Sequence, residues 1–151
     1  MGTNGHREHW FVTADERGAR LFSSASGGGG RLSIQQLDDL VNLTVVEHEH
    51  QRPSILGRGP SRSAMQHYAG TGHQDEEARH RFARPLAHWL AAHAFKAPRG
   101  VLDVFIATRM LGELRPVLEH QGQRITLHQA ELTRLSPGEL AVHPSVLSLH
   151  A

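Results

Sequence analysis

The fold is decided by the stretch WFVTADERGARLFSS at residues 10–24. Its first part, WFVTA at 10–14, is short, apolar and β-prone, which is typical of a buried strand. DERG at 15–18 has the residues of a turn, with aspartate at its start and glycine at its end. Because ARLFSS at 19–24 again has the pattern of a strand, the whole stretch is predicted to form a hairpin.

Three further strands are predicted outward from this hairpin. Apolar and polar residues alternate from Leu32 to about Leu40, and residues 41–46 are apolar enough to continue that strand or to pair separately. Three consecutive strands favour an antiparallel meander. VLDVFI at 101–106 is nearly continuously apolar, which indicates a central strand covered on both faces, and RITL at 124–127 alternates as a fifth strand.

A long amphipathic helix is predicted in the middle of the chain. Apolar residues recur at spacings of three and four from Ala78 to Ala94, which is one face of a helix. Thr71 and Gln74 fit a capping box at its start. Pro85 lies inside the pattern, so a kink is expected there.

Two shorter helices complete the predicted fold. One covers residues 110–118, and another begins at SPGE, 136–139, where serine suits the N-cap, and ends near His143. Helices between the later strands favour parallel crossovers. The sequence therefore predicts an α/β fold: a single three-layer domain over residues 1–151, with helices packed on a mixed five-stranded sheet, an antiparallel meander followed by parallel crossovers. This is the element order of ribonuclease H-like and release-factor middle domains.

Composition excludes several classes of function. The chain has 16 Lys+Arg against 15 Asp+Glu, so any affinity for nucleic acid has to come from a local patch. The absence of cysteine excludes disulfides, thiolate metal sites and a cysteine nucleophile. No apolar run approaches the roughly 20 residues that span a bilayer, and residues 1–8, an expected flexible tail, lack the core of a secretory signal. No membrane contact and a cytoplasmic localisation are therefore expected.

The segment 47–74 is predicted to be a long functional or mobile loop, since it contains four glycines and two prolines. No carboxylate occurs between Gln51 and Gln74, although three arginines do. Arginines suit phosphate contacts, and a tyrosine or histidine can stack on an unpaired base. The candidate nucleic-acid or anion-binding residues are Arg52, Arg58, Arg62, His67, Tyr68, His73 and Gln74.

Several blocks of the sequence, in order, resemble the bacterial host attachment protein family. The blocks are WFVTA (10–14), ARLF (19–22), RGPSRS (58–63), RFARPLA (81–87), FIATRMLGELRPVL (105–118) and LTRLSPGEL (132–140). The most specific block is MLGELR at 110–115, and the resemblance covers nearly the whole chain from Trp10 to Leu140.

The resemblance implies a relationship to the middle domain of archaeo-eukaryotic release factors. In those proteins the loop before the first long helix carries GlyGlyGln, which enters the peptidyl transferase centre of the ribosome. The same position here is 51–74 and contains GHQ at 72–74. His73 replaces the second glycine, so peptidyl-tRNA hydrolysis is not carried over.

Other chemistries have weaker sequence support. The chain has 13 histidines, and His48 with His50 or His80 with His88 form pairs, yet no HExxH pattern occurs. Asp15 ends the first strand, and Asp103 lies in the central strand. If these two acids approach each other, they could hold the metal ion of a nuclease. A buried Asp103 otherwise requires a partner. The glycines at 27–30 are not followed by the GKS or GKT of a phosphate-binding loop. The serines at 54, 61 and 63 do not lie in the GxSxG motif of a hydrolase.

The leading hypothesis is a non-catalytic, release-factor-like domain that contacts RNA, the ribosome or another anionic partner through 51–74. One alternative is a protein–protein interaction module involved in attachment of bacteria to host cells, with a protein partner or a second copy. Another is a metal-dependent hydrolase on a ribonuclease H-like fold. No cofactor, metal ligand or catalytic residue is assigned.

Overall fold

The computed structural model describes residues 8–27, 29–47, 61–118 and 124–151, and for residues 61–75 the backbone alone. The strands are β1 (His9–Asp15), β2 (Gly18–Ser26), β3 (Leu32–Val41), β4 (Leu102–Ile106) and β5 (Ile125–Gln129). The helices are α1 (43–47), α2 (Ser61–Lys96), α3 (Thr108–Leu118), α4 (Pro137–Leu140) and α5 (Pro144–Leu147), followed by a 3₁₀ turn at Ser148–His150.

The five strands form one mixed sheet in the order β3-β2-β1-β4-β5. Strands β1, β2 and β3 pair antiparallel, whereas β4 pairs parallel with both β1 and β5. The predicted meander followed by parallel crossovers is thereby confirmed, together with the α/β class and the single domain. The likeness of this order to ribonuclease H-like domains stays a prediction.

Helices cover both faces of the sheet, and each face has its own apolar core. One core joins β1, β2, β4 and β5 to α2 and α3, with Leu86, Leu90 and Met110 fully buried. The other core joins β1, β2 and β4 to the C-terminal helices through Phe11, Phe22, Phe105, Leu140 and Val146. Successive side chains of a strand point to opposite faces, so alternate residues of β1 and β4 supply the two cores.

The β1–β2 turn is fixed by one carboxylate and one glycine. Asp15 Oδ1 accepts hydrogen bonds from the backbone N–H groups of Arg17 (2.8 Å) and Gly18 (3.3 Å). Gly18 has φ +156°, and a Cβ there would lie 2.3 Å from the carbonyl oxygen of Leu40. The turn chemistry predicted for 15–18 is therefore present, and close approach of β3 explains the glycine.

The start of the long helix differs from the prediction. α2 begins at Ser61, directly after Pro60, so residues 61–74 are helical rather than part of a loop, and the capping box at Thr71 and Gln74 is wrong. An interior glycine costs a helix about 1 kcal/mol relative to alanine, which weakens a helix without ending it. Residues 48–60 of the predicted loop lie outside the described residues.

The region after β3 also differs from the expected extension. β3 ends at Val41 and residues 43–47 form α1, so Val41 alone continues the strand and residues 42–46 do not pair separately. Asn42 N–H donates to the carbonyl of Arg17 (2.8 Å), and its side-chain amide donates to the carbonyl of Glu16 (3.0 Å). These bonds to the neighbouring turn are non-local, so the apolar pattern did not indicate them.

The SPGE start of the C-terminal helix is confirmed. Ser136 Oγ accepts from the Glu139 N–H (3.2 Å), and the Glu139 carboxylate accepts from the Ser136 N–H (3.0 Å), which is a complete capping box. α4 ends at Leu140, earlier than predicted, because His143 caps a new helix by accepting from the Ser145 N–H (3.1 Å).

Candidate functional site

The structure places the predicted RNA-binding residues in two groups. Arg52 and Arg58 lie outside the described residues. The backbone of Arg62, His67, Tyr68, His73 and Gln74 lies in α2, and their side chains are outside the described part of the chain. Their contacts with RNA or an anion stay predictions. The predicted N-terminal tail covers residues 1–8, of which residues 1–7 lie outside the described ranges. Glu8 Oε1 accepts hydrogen bonds from Trp10 Nε1 (2.9 Å) and Ser23 Oγ (2.7 Å).

Both flanks of the arginine-rich segment are anchored at the β1–β2 turn. The Asn42 side-chain amide donates to the carbonyls of Glu16 (3.0 Å) and Ala78 (3.5 Å), which joins the residue before α1 to the body of α2. Arg79 Nη1 donates to Glu16 Oε2 at 3.0 Å. The residue before α1 and the middle of α2 are therefore held at the same turn.

A crevice lies beside this turn, at the carboxyl ends of β1 and β4. It consists of two adjoining cavities of about 670 Å³ and 270 Å³. Asp15, Arg17, Thr133 and Arg134 line both cavities. In open α/β sheets, ligands bind outside the carboxyl ends of parallel strands, so this is the expected position for a binding site.

The N-terminus of α3 opens into the larger cavity, which Ala107, Thr108, Arg109 and Met110 line. Leu111 N–H donates to the Ala107 carbonyl (2.9 Å), so Ala107 occupies the N-cap position, where its methyl group cannot accept a hydrogen bond. The first turn contains no acidic residue. The backbone N–H groups of this turn have no intrahelical acceptor and carry the positive end of the helix dipole.

The wall shared by the cavities is held by specific hydrogen bonds. Thr133 Oγ1 donates to Asp15 Oδ2 (2.9 Å), and Arg20 Nη2 donates to the carbonyls of Thr133 (2.5 Å) and Leu135 (3.0 Å). Both oxygens of Asp15 are consequently occupied, one by the turn and one by Thr133. Asp15 therefore acts in the turn and in the wall of the crevice.

Comparison with known proteins identifies the family. The chain matches the family described as "Protein required for attachment to host cells" over residues 10–143. The chain belongs to this family. No match was found among curated proteins. The host attachment family region includes all of the crevice residues, and it ends before His150.

Asp103, the second acid considered in this host attachment family protein, lies away from the crevice. It is opposite Phe11 in the parallel register of β1 and β4, four positions before Asp15. At about 3.3 Å per residue the two acids are about 13 Å apart along the sheet. The prediction that they approach each other is wrong, because parallel register places them at different levels of the sheet.

Asp103 has the partners that a buried carboxylate requires, and they are two histidines. Oδ2 lies 2.6 Å from His9 Nε2, and Oδ1 lies 2.7 Å from His128 Nε2. Burial raises the pKa of Asp103, but hydrogen bonds from His9 and then His128 outweigh burial and hold that pKa below its usual value. The ionised carboxylate only accepts, so both Nε2 atoms carry a proton. The buried Nδ1 of His9 has no hydrogen-bond partner among the described residues.

A serine and a third histidine adjoin this pair without forming a nucleophile. Ser24 Oγ donates to the His9 carbonyl (2.8 Å) and lies 2.8 Å from His150 Nε2. The Ser24 hydroxyl donates its proton to the carbonyl, so His150 Nε2 acts as a donor to Ser24 Oγ. His150 is therefore not positioned as a base that could accept the Ser24 proton. Burial, and then electrostatic interaction with the neighbouring His9 and Arg99, lower the pKa of His150.

The sequence did not reveal this histidine cluster, because its members are separated by most of the chain. The strand alternation that puts His9, Asp103 and His128 on one face was the available signal. In the part of the chain that the structure describes, no group of three or more His, Asp or Glu residues is arranged to hold a metal ion. No described helix is long and apolar enough to cross a membrane.

Proposed function

We propose that this host attachment family protein is a non-catalytic, release-factor-like RNA-contacting domain of the cytoplasm, which binds RNA or the ribosome through the arginine-rich segment 51–74. The observation that carries the proposal is the anchoring of both flanks of this segment at the β1–β2 turn. Asn42 and Arg79 provide the anchors through Glu16 and Ala78. Two points of the chain that flank this segment, Asn42 before it and Arg79 after it, are therefore held at one turn of the sheet.

The charge at this edge supports binding to phosphates. Arg17, Arg109 and Arg134 line the crevice beside the anchors, and all three are exposed. Arginine forms paired hydrogen bonds to phosphate oxygens, and such contacts position a protein on a nucleic acid without reading its sequence. A protein with balanced net charge can bind RNA in this way if its arginines are concentrated at one edge.

The test measures binding to single-stranded RNA and to ribosomes across a range of salt concentrations. Each phosphate contact on a single strand contributes about −0.7 to the slope of log K against log salt. Arg58→Ala/Arg62→Ala is expected to weaken binding and to make that slope shallower by about 1.4, if both side chains contact phosphates.

A matched control removes two arginines from the opposite edge of the sheet. Arg31 precedes β3 and Arg124 precedes β5. Both strands run in the same direction as β1 and β4, so both arginines lie at the amino ends of these strands, away from the crevice. Arg31→Ala/Arg124→Ala makes the same change in net charge. Equal loss of RNA binding in both double variants, or no binding by the natural chain at low salt, would rule out the segment 51–74 as the RNA contact.

A second candidate is a protein–protein interaction module, as the attachment description of the family suggests. β3 is an edge strand, and its residues Leu37 and Val41 are 40% and 47% exposed, while Leu43 just after it is 67% exposed. An exposed edge strand with apolar side chains favours pairing with another chain. Salt-insensitive association with a protein partner or a second copy, weakened by Leu37→Lys, would support this candidate. The separation of Asp15 from Asp103 removes the acid pair on which the hydrolase alternative depended.

A further inference from the structure

We propose that the free edge of β3 pairs with the same edge of a second copy of this chain. The two β3 strands run antiparallel about a two-fold axis at Gln35, which joins two five-stranded sheets into one. The proposal rests on the second candidate function, association through β3, and assigns its partner. It uses no residue of the segment 51–74, so it is independent of RNA contact by that segment.

One hydrogen bond at the start of β3 shows which of its backbone groups face outward. The Leu32 N–H donates to the carbonyl of Ala141 (3.1 Å) and therefore points away from β2. Because the direction of these groups alternates along an antiparallel strand, the N–H and C=O groups of Ile34 and Gln36 also point away from β2. Among the described residues, no hydrogen bond outside the strand ladder reaches Ile34 or Gln36. Their outward N–H and C=O groups are thus open to a further strand.

The chain itself closes both ends of this open stretch. At the first end the Leu32 N–H is already occupied. At the other end the register shifts by one residue, so Leu37 is the extra residue of a β-bulge. Beyond the bulge the Asp39 N–H donates to Asp38 Oδ1 (2.8 Å). A partner strand therefore has access to a short stretch, residues 33–37.

A two-fold axis at Gln35 satisfies all of the open groups. It places Ile34 opposite Gln36 of the second copy, where the two residues exchange N–H···O=C hydrogen bonds, and symmetry repeats the pair. An axis at Ile34 instead directs Gln36 of the second copy at the Leu32 N–H, which Ala141 already occupies. An axis at Gln36 sets Ile34 opposite the bulge of the second copy. Among these three axes, the one at Gln35 alone pairs every open group.

The side chains of this stretch also favour association. Leu37 is 40% exposed, and an axis at Gln35 sets it against Ser33 of the second copy. Gln35 then faces its symmetry mate, and two amide groups can exchange hydrogen bonds. Residues 32–37 include neither a charged residue nor a proline, which commonly protect an edge strand from pairing. The bulge limits the length of the paired stretch without covering it.

Opposite charges at the two ends of the stretch select a second copy in the antiparallel direction. Arg31 precedes the stretch, Asp39 follows it, and both residues are exposed. A two-fold axis at Gln35 brings Arg31 of each copy beside Asp39 of the other. The bulge displaces Asp39 by one position, which the length of an arginine side chain spans. Parallel pairing in register would instead set like charges opposite each other, which is destabilising.

Both charged side chains lie on the face of the sheet that the C-terminal helices cover. A Cβ at Gly138 of α4 would lie 3.5 Å from Arg31 Nη2. Asp39 is opposite Arg20, whose guanidinium group lies over the ring of Phe22 in the core on that face. A two-fold axis perpendicular to the sheet keeps each face continuous between the copies, so the opposite charges meet. Exposed pairs of this kind fix the register more than they add affinity.

The test measures the mass of the full chain in solution by sedimentation velocity or light scattering, from about 5 µM to about 1 mM chain. An interface this small predicts a dimer with a Kd of about 10–100 µM. A chain that stays monomeric at about 1 mM overturns the proposal. Assembly beyond the dimer also overturns it, because two-fold pairing of one edge is closed.

A pair of proline variants tests the backbone contact. Gln36→Pro removes an outward N–H, so the β2–β3 ladder keeps its hydrogen bonds. The dimer is expected to weaken at least about tenfold, because symmetry removes two hydrogen bonds. Val41→Pro is the matched control. The Asn42 N–H donates to the Arg17 carbonyl (2.8 Å), so the Val41 N–H also faces outward but lies beyond the paired stretch. Equal Kd values for the two variants overturn the assignment.

Two charge reversals test the register and leave the backbone unchanged. Arg31→Glu and Asp39→Arg each set like charges together in the homodimer and are expected to weaken it about fivefold or more at low salt. An equimolar mixture of the two variants restores opposite charges at both ends, so its mixed dimer is expected to have a Kd within about threefold of that of the natural chain. Failure of the mixture to restore the dimer overturns pairing about an axis at Gln35.

Two further measurements separate this proposal from the proposed functions. RNA binding at about 1 µM chain, far below the expected Kd of the dimer, reports the monomer, and Gln36→Pro is expected to leave it unchanged. Loss of RNA binding in that variant would contradict the independence of the β3 edge from the segment 51–74. If the natural chain is monomeric and Leu37→Lys weakens its association with a different protein, the second candidate function stands and the second copy is ruled out as the partner.

Discussion

His128 Nε2 lies 2.7 Å from Asp103 Oδ1, and this contact joins the last strand of the sheet to its neighbour, β4. The other carboxylate oxygen reaches His9 Nε2 on β1, at 2.6 Å. One acid therefore connects three adjacent parallel strands on the face that packs against the C-terminal helices. Such a network is held together by the negative charge, since each imidazole N–H needs an acceptor at this distance.

Replacing Asp103 with asparagine is expected to lower the free energy of unfolding by about 2 kcal/mol, because two charge-assisted hydrogen bonds are weakened and an amide N–H₂ faces a donor. Urea unfolding of the variant and the natural chain measures the difference. Asp39→Asn, at an exposed position of β3, is the control and is expected to change stability by less than about 0.5 kcal/mol. Equal effects of the two substitutions would show that the histidine contacts are unimportant for stability.

The same carboxylate predicts a dependence of stability on pH. Hydrogen bonds from the histidines keep the pKa of folded Asp103 below that of the unfolded chain, which is about 3.9. As pH falls, the unfolded chain takes up the proton first, so stabilisation that is complete above about pH 4 is lost below it. The stability difference between the natural chain and Asp103→Asn is expected to shrink from pH 6 toward pH 3. A difference that is constant over this range would contradict the lowered pKa.

His150 predicts a separate effect at higher pH. Burial and the neighbouring His9 and Arg99 lower the pKa of folded His150 below its unfolded value of about 6.5. The unfolded chain therefore binds this proton more readily, and the natural chain loses stability as pH falls through that value. His150→Gln keeps a side-chain N–H that can donate to Ser24 and cannot titrate. Its Tm is expected to fall less than that of the natural chain between pH 7.5 and pH 5.5, and parallel curves would contradict this assignment.

Local patterns were sufficient to predict the strands and the C-terminal cap. Alternation located β3, and the capping box at Ser136 and Glu139 is present as predicted because its bonds join residues three positions apart. The start of α2 differs from the prediction because the glycines at 70 and 72 do not end this helix. Their cost is small compared with the sum of favourable propensities and packing in a helix of 36 residues.

The histidine cluster and the crevice depended on long-range register. Asp103 is separated by 94 residues from His9 and by 25 from His128, so strand order was needed to bring them together. The composition of the chain predicted a local arginine patch, yet it did not indicate that the β1–β2 turn anchors both flanks of that patch. Such contacts follow from topology, which a single sequence specifies only through the order of its elements.

The β1–β2 turn provides a last prediction with an internal control. Gly18→Ala places a methyl group 2.3 Å from the Leu40 carbonyl oxygen, so either β3 or the turn has to move. We expect the free energy of unfolding to fall by more than about 1 kcal/mol, the scale for alanine at an incompatible backbone position. Gly112→Ala, in an exposed part of α3 where no atom lies within 4 Å of the new Cβ, is expected to raise it by about 0.5–1 kcal/mol. Stabilisation by both substitutions would show that β3 does not pack against the turn as described.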